Sequence, residues 1–228
     1  MENRRTLLLS CAVSAIVNVV DSAYDVPQMA LYVDFVNVMS YDFHVYSKYW
    51  PFTGYALVCR LLSKINELFF RFNAPLFERK TEKSYFTFLN TNRSINHWIA
   101  MGMSKNKIMV GIPTYGHVFK LATTQNWGPD SAVVGQLPDV SYTEVCKLMR
   151  NSSTKIAFNE ESKVPYLVNG DQWVTYDDPQ SVAFKAQWIR DNGLAGAMTF
   201  DLNSDDYHFE CDNSTKFVLH SVIYSILS

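Results

Sequence analysis

The 228 residues contain no C-x-x-C pair, no H-E-x-x-H, no H-x-H and no block of basic residues. The first three absences leave no thioredoxin-type motif and no recognisable metal site, and the five histidines are scattered. The lack of a basic block, with a net charge of −2, excludes the electrostatic footprint of a nucleic-acid binder. Long apolar runs are missing too. The segment Thr6-Leu-Leu-Leu-Ser-Cys-Ala-Val-Ser-Ala15 is too short and too interrupted to span a bilayer, so stable membrane insertion is not expected. Charged residues make up only 18%, yet hydrophobic residues reach 48%, a globular balance and not a disordered one. What the chain has in excess is aromatics, 14%, with thirteen tyrosines and five tryptophans; these suit either sugar stacking or an aromatic-rich core.

The chain is organised around Phe35-Val-Asn-Val-Met-Ser-Tyr-Asp-Phe-His44. Phe35 to Met39 is an apolar run of strand length; Tyr41, Asp42 and His44 then turn polar and aromatic. A buried parallel strand reads this way when its carboxyl end opens into a pocket, the alternative being a core strand followed by an ordinary loop. Two other stretches repeat the plan: Lys107-Ile-Met-Val-Gly-Ile-Pro-Thr-Tyr-Gly116, and Ala195-Gly-Ala-Met-Thr-Phe-Asp-Leu202 followed by Asn203-Ser-Asp-Asp-Tyr207.

Four motifs occur in a telling order: Met39-Ser-Tyr-Asp-Phe-His44, Gly111-Ile-Pro-Thr-Tyr-Gly116, Gly170-Asp-Gln-Trp-Val174 with Tyr176-Asp-Asp-Pro179, and Gly196-Ala-Met198. Together they resemble glycoside hydrolase family 18, the chitinases and chitinase-like lectins, over most of Leu7 to Tyr207. The resemblance implies an α/β chain forming part of a (β/α)8 TIM barrel, strands five to eight. Residues 1–116 and 184–228 would form the partial barrel, and 117–183 a small α+β insertion domain. It implies a disulfide between Cys146 and Cys211, hence an oxidising, extracellular setting. Sequons at Asn92, Asn151 and Asn213 fit a secreted glycoprotein.

The amino end carries two readings. Basic Met1-Glu-Asn-Arg-Arg5, an apolar run and small residues resemble a signal peptide. By the family resemblance, Leu7 to Ala15 is the fifth barrel strand and Ser22-Ala-Tyr-Asp-Val-Pro27 opens the helix after it; we take the strand. An eight-stranded barrel needs roughly 250 residues, so strands one to four have no counterpart here. The family's D-x-x-D-x-D-x-E signature of the fourth strand is absent from the sequence. Between Thr53-Gly54 and Asn73-Ala-Pro-Leu76, both expected in the family, lies an extra stretch, 55–72. Leu57, Leu61, Ile65, Leu68 and Phe72 follow helical spacing there. It reads as an amphipathic helix for partner or membrane contact, or as translated intron sequence interrupting the match, the reading we favour.

Retaining glycosidases ordinarily use two carboxylates, but family 18 lets the substrate's own N-acetyl carbonyl attack the anomeric carbon while the enzyme supplies one acid. By resemblance, Tyr41 hydrogen-bonds the acetamido oxygen, Asp42 shapes the polar floor, Met39 packs under the sugar and Tyr115 lines the groove. Phe200 stands where the family has a tryptophan floor, and offers less stacking area and no indole N–H. Asp201 replaces a small neutral residue and His117 an arginine. Asp205 and Asp206 read as a solvated turn, and Trp50 as a further stacking platform. No catalytic residue, metal or cofactor is assigned. The expected function is chitin or chitooligosaccharide binding without hydrolysis. The alternatives are a fragment of an active secreted chitinase that cleaves β-1,4-linked N-acetylglucosamine, and an incomplete product without function. Open barrel edges would permit self-association.

Overall fold

The computed structural model describes residues 7–44, 71–212 and 214–228. Two sheets organise them. The first is wholly parallel, in the order β1 (Ser10–Ser14), β2 (Phe35–Met39), β3 (Ile108–Pro113) and β9 (Gly196–Phe200). β2 alternates cleanly in burial, as period-2 patterning requires, while β3 is buried along most of its length. Val13, Val36, Val38, Ile108, Val110 and Ile112 enter a buried core with Ile95, Trp98, Val182 and Ile189. The opposite face carries Met39, Met109, Met198 and Phe200, which are half-buried or exposed. The sheet does not close: among the described residues the outer edges of β1 and β9 are unpaired. This is part of a TIM barrel.

The connecting helices follow from local capping chemistry. After β1 come α1 (Val17–Ala23) and α2 (Val26–Tyr32). The helical region thus starts five residues before the expected Ser22, and Asp25 restarts it by accepting from the Gln28 amide with Pro27 in the first turn. Asn90 caps α3 (Thr91–Ala100) in the same way through the Arg93 amide. Capping boxes open α4 (Tyr142–Met149), through Ser141 and Glu144, and α5 (Pro179–Asp191), through Asp178 and Ser181. The core-facing side of the last helix, α6 (Val218–Leu227), is Val218, Leu219, Val222, Ile223 and Leu227.

β3 stops at Pro113, and the chain re-enters a different sheet at Tyr115. That second sheet is antiparallel, in the order β5 (Val133–Ser141), β4 (Tyr115–Leu121), β8 (Gln172–Thr175), β7 (Val164–Asn169) and β6 (Lys155–Asn159). Its aromatic core joins Phe72, Phe119 and Trp173. Cys146 on α4 is bonded to Cys211, 65 residues away (S–S 2.05 Å). The extra stretch lies outside the described residues except for its last two, Arg71 and Phe72, and Trp50 lies outside them too.

Asp205 and Asp206 are not a solvated turn: both are fully buried. Asp205 accepts from the Leu219 and His220 amides (3.3 and 3.0 Å) and from His220 Nδ1 (2.7 Å), capping α6 from outside its own helix. Asp206 collects the amides of His208, Glu210 and Cys211 (3.2, 3.1 and 2.7 Å) and the Thr143 hydroxyl (3.2 Å). Orphan amides at a helix start and in a tight turn draw carboxylates inward, which no local pattern announces.

Candidate functional site

The carboxyl ends of β2, β3 and β9 meet the first strand of the second sheet at a cleft of about 280 Å³. It is lined by Asp42, Tyr115, Asp139, Phe200, Asp201 and Ser204 among others. Phe200 ends β9 and is 54% exposed. Its backbone is held by β3: the Thr114 amide donates to the Phe200 carbonyl (2.9 Å) and the Thr114 hydroxyl to the Asp201 carbonyl.

Three rings gather here. Tyr41 and Phe200 lie 6.0 Å apart at 30°, while Tyr115 stands edge-on to both, 6.2 Å from each at 81° and 82°. Tyr41 is only 8% exposed, and among the described residues its hydroxyl makes no hydrogen bond. Burial, with Asp42 beside it, pushes its phenol up to about 12, so it is a donor at any physiological pH.

Asp42 follows in the left-handed region (φ 57°), a conformation aspartate tolerates better than most residues. The turn is held by Asn73, whose Oδ1 accepts from the Asp42 amide (2.8 Å) and whose own amide donates to Thr175 Oγ1 (3.1 Å). The Asp42 carboxylate accepts from the Tyr115 hydroxyl (2.5 Å) and from His117 Nε2 (2.9 Å). His117 Nδ1 reaches Asp139 Oδ1 at 2.7 Å. Burial favours the neutral imidazole, but the two carboxylates outweigh it and raise His117 to about 9. Burial likewise pushes Asp42 up, yet the hydrogen bonds from His117 and Tyr115 prevail and hold it below the usual carboxylate value. Burial and the bond to Asp42 push Tyr115 up. The result is a fixed charge sequence, Asp42⁻–His117⁺–Asp139⁻, under an aromatic rim.

Of the residues singled out from the sequence, Tyr41, Asp42, Tyr115 and Phe200 come together through ring contacts and the Tyr115–Asp42 hydrogen bond; Met39 ends β2, exposed, on the sheet face that also carries Phe200. His117, Asp139 and Asn73 were not assigned site roles. Tyr115 and His117 share one face of β4 by period two, a signal that was available. Asp139 arrives from the neighbouring strand, and only strand pairing places it. Among the described residues no group of three histidine, cysteine, aspartate or glutamate side chains is placed to hold a metal ion.

The linkage sign for His117 is fixed by its raised value. Its stabilising contribution is complete below its unfolded value of 6.5 and is lost as pH rises through about 9. His117→Gln is therefore expected to destabilise by on the order of 1–2 kcal/mol at pH 6, a discounted figure because solvent screens both half-exposed carboxylates. At pH 10 the two proteins should unfold at nearly the same urea concentration. A difference that stays constant between pH 6 and pH 10 would contradict a charged His117.

The model for "Glycosyl hydrolases family 18" matches residues 1–205. Human chitinase-3-like protein 2 is 31% identical over 224 residues, covering 95% of this chain and 53% of that protein. An immunomodulatory active chitinase from Trichuris suis superposes with a TM-score of 0.85 at 33% identity, covering 98% of this chain and 59% of that one. Human YKL-39, described as a pseudo-chitinase with retained chitooligosaccharide binding properties, gives 0.85 at 28% identity, with 99% and 59% covered. The chain thus spans somewhat over half the length of these relatives.

Proposed function

This chain belongs to glycosyl hydrolases family 18, and from that premise we propose that its cleft binds chitooligosaccharide without cleaving it. The observation that carries the reading is the unengaged Tyr41 hydroxyl beside the exposed Phe200 ring. A pyranose ring laid on Phe200 would bring its acetamido oxygen toward an oriented phenol donor, with Tyr115 closing the side. The Asp42–His117–Asp139 chain holds Tyr115 in place and keeps the floor polar. Binding of chitooligosaccharide by related proteins, stated for YKL-39, supports the same ligand class here. Hydrolysis by substrate assistance needs a protonated carboxylic acid at the glycosidic oxygen. The D-x-x-D-x-D-x-E segment that carries it in the family does not occur in these 228 residues. The Cys146–Cys211 bond supports an extracellular, oxidising location.

The test is calorimetric titration with the N-acetylglucosamine tetrasaccharide, alongside retention on chitin beads. The native chain should bind, and Phe200→Ala should weaken binding about 30-fold, roughly 2 kcal/mol, as expected for losing a central aromatic anchor. Failure of the native chain to bind the tetrasaccharide removes the reading. Equal binding by Phe200→Ala removes the platform from it.

A further inference from the structure

The three sequons are not equivalent in the fold. Asn213 lies outside the described residues. Asn92 sits half-buried in the first turn of α3, where its amide donates to the Leu76 carbonyl and its Oδ1 accepts from Asn96 Nδ2 (both 3.0 Å). Its sequon hydroxyl, Ser94, is only 1% exposed. Asn151 is the opposite case. It follows the carboxyl end of α4, and Asn151, Ser152 and Ser153 are all exposed.

The local geometry around Asn151 is specific. Oδ1 accepts from the Ser153 amide (3.0 Å) and from the Ser153 hydroxyl (2.8 Å), whose single proton also faces Asn169 Oδ1 at the longer distance of 3.2 Å, so the sequon hydroxyl lies against the asparagine side chain. Among the described residues Nδ2 donates to nothing, which leaves the acceptor nitrogen free. Beside it runs a groove of about 340 Å³. Val140 and Leu148 supply apolar surface there, while Glu144, Lys147, Asn169 and Gln172 supply donors and acceptors, a lining suited to an amphiphilic sugar ring.

We propose that Asn151 is an N-glycosylation site of this protein and that the groove between α4 and the second sheet seats its first sugar. The co-reactant is a lipid-linked oligosaccharyl diphosphate, used by a membrane-bound transferase. Asn151 Nδ2 forms a bond to the anomeric carbon as that carbon's bond to the diphosphate breaks. The lipid diphosphate leaves with the electron pair, and the amide nitrogen gives up one proton to a base of the transferase. The proposal rests on the extracellular reading above. Its test therefore forces the chain into the secretory lumen, so that a failure at Asn151 is separate from a failure of that reading.

The full chain is translated behind an added cleavable leader in the presence of endoplasmic-reticulum microsomes, and the protease-protected pool is analysed. Asn151→Gln and Ser153→Ala should each lose one glycan step on a gel; Ser153→Thr should keep it, and Asn92→Gln should run with the parent. Glycosidase release in heavy-oxygen water should convert Asn151 to labelled aspartate in the peptide spectrum. An unlabelled Asn151 peptide, with Asn151→Gln migrating beside the parent, overturns the assignment. Loss of that same step in Asn92→Gln but not in Asn151→Gln does so equally.

Discussion

Lys185→Met should lose about 3–5 kcal/mol of stability, the range for breaking a buried ion pair by removing one partner. Lys185 and Asp177 are each only 1% exposed. The Lys185 ammonium donates to both carboxylate oxygens at 2.7 and 2.6 Å, and the Ser181 hydroxyl adds a third bond at 2.6 Å. Burial pulls the ammonium below its ordinary value, with Asp177 opposing that pull. Without the lysine, a fully desolvated carboxylate keeps one hydroxyl partner. A loss of this size is a large fraction of the 5–15 kcal/mol that holds an ordinary domain together, so the variant should melt well below the parent or fail to accumulate. Adding Asp177→Asn should recover much of the loss, because no unpaired charge then remains. Urea denaturation of the parent, single and double variants reads the difference. A single variant within 1 kcal/mol of the parent would mean that solvent reaches the pair. The consequence for the cleft is indirect: this pair ties the segment after β8 to α5, and α5 leads into β9, the strand that carries Phe200.

Gly111→Ala carries the second large effect, and it acts on the cleft itself. A methyl group there would lie 2.5 Å from the Val38 carbonyl, 2.8 Å from Tyr41 Cε1 and 3.0 Å from the Ser40 amide. Two of the three are backbone atoms on the adjacent strand and the turn that follows it, so no rotamer change relieves them. Ser40 already bridges the strands by donating to the Gly111 carbonyl at 2.8 Å. Overpacking of this kind costs roughly 1–3 kcal/mol, and contact with backbone places this site at the upper end. For a chain of this length that is roughly a 5–10 °C lower melting temperature. The methyl also displaces the Tyr41 ring, so affinity for the tetrasaccharide should fall with stability. Tyr41→Phe separates the two effects, since it keeps the ring and removes only the free hydroxyl. Unchanged sugar affinity in Gly111→Ala would sever Tyr41's placement from binding.

Much of this was legible in the residues because the signals are local. Alternating valines in Val36 and Val38, and the run from Ile108 to Ile112, mark two strands of the parallel sheet. In the structure Asn90, Ser141 and Asp178 open three helices through side-chain caps that reach only three residues ahead. The resemblance placed one helix start too late: the helical region after β1 begins at Val17 with no side-chain cap, and Asp25, inside the expected start at 22–27, caps a restart. Of the four ordered motifs that carried the family, two sit where the parallel strands β2 and β3 end, one crosses β8 of the antiparallel sheet, and one opens β9.

The sequence by itself therefore determined the strand and helix types, the family and the aromatic and carboxylate residues of Tyr41, Asp42, Tyr115 and Phe200. It did so because period, capping and motif spacing act over a few residues. Only the tertiary structure decided that Asp139 reaches from β5 to His117 on the neighbouring β4, and that His117 is charged between two carboxylates. It alone decided that Asp205 and Asp206 turn inward, and that one sequon is open while another is locked in a helix. Each of these depends on burial and on partners tens of residues away, and desolvation and charge pairing exist only once strands and helices have been brought together.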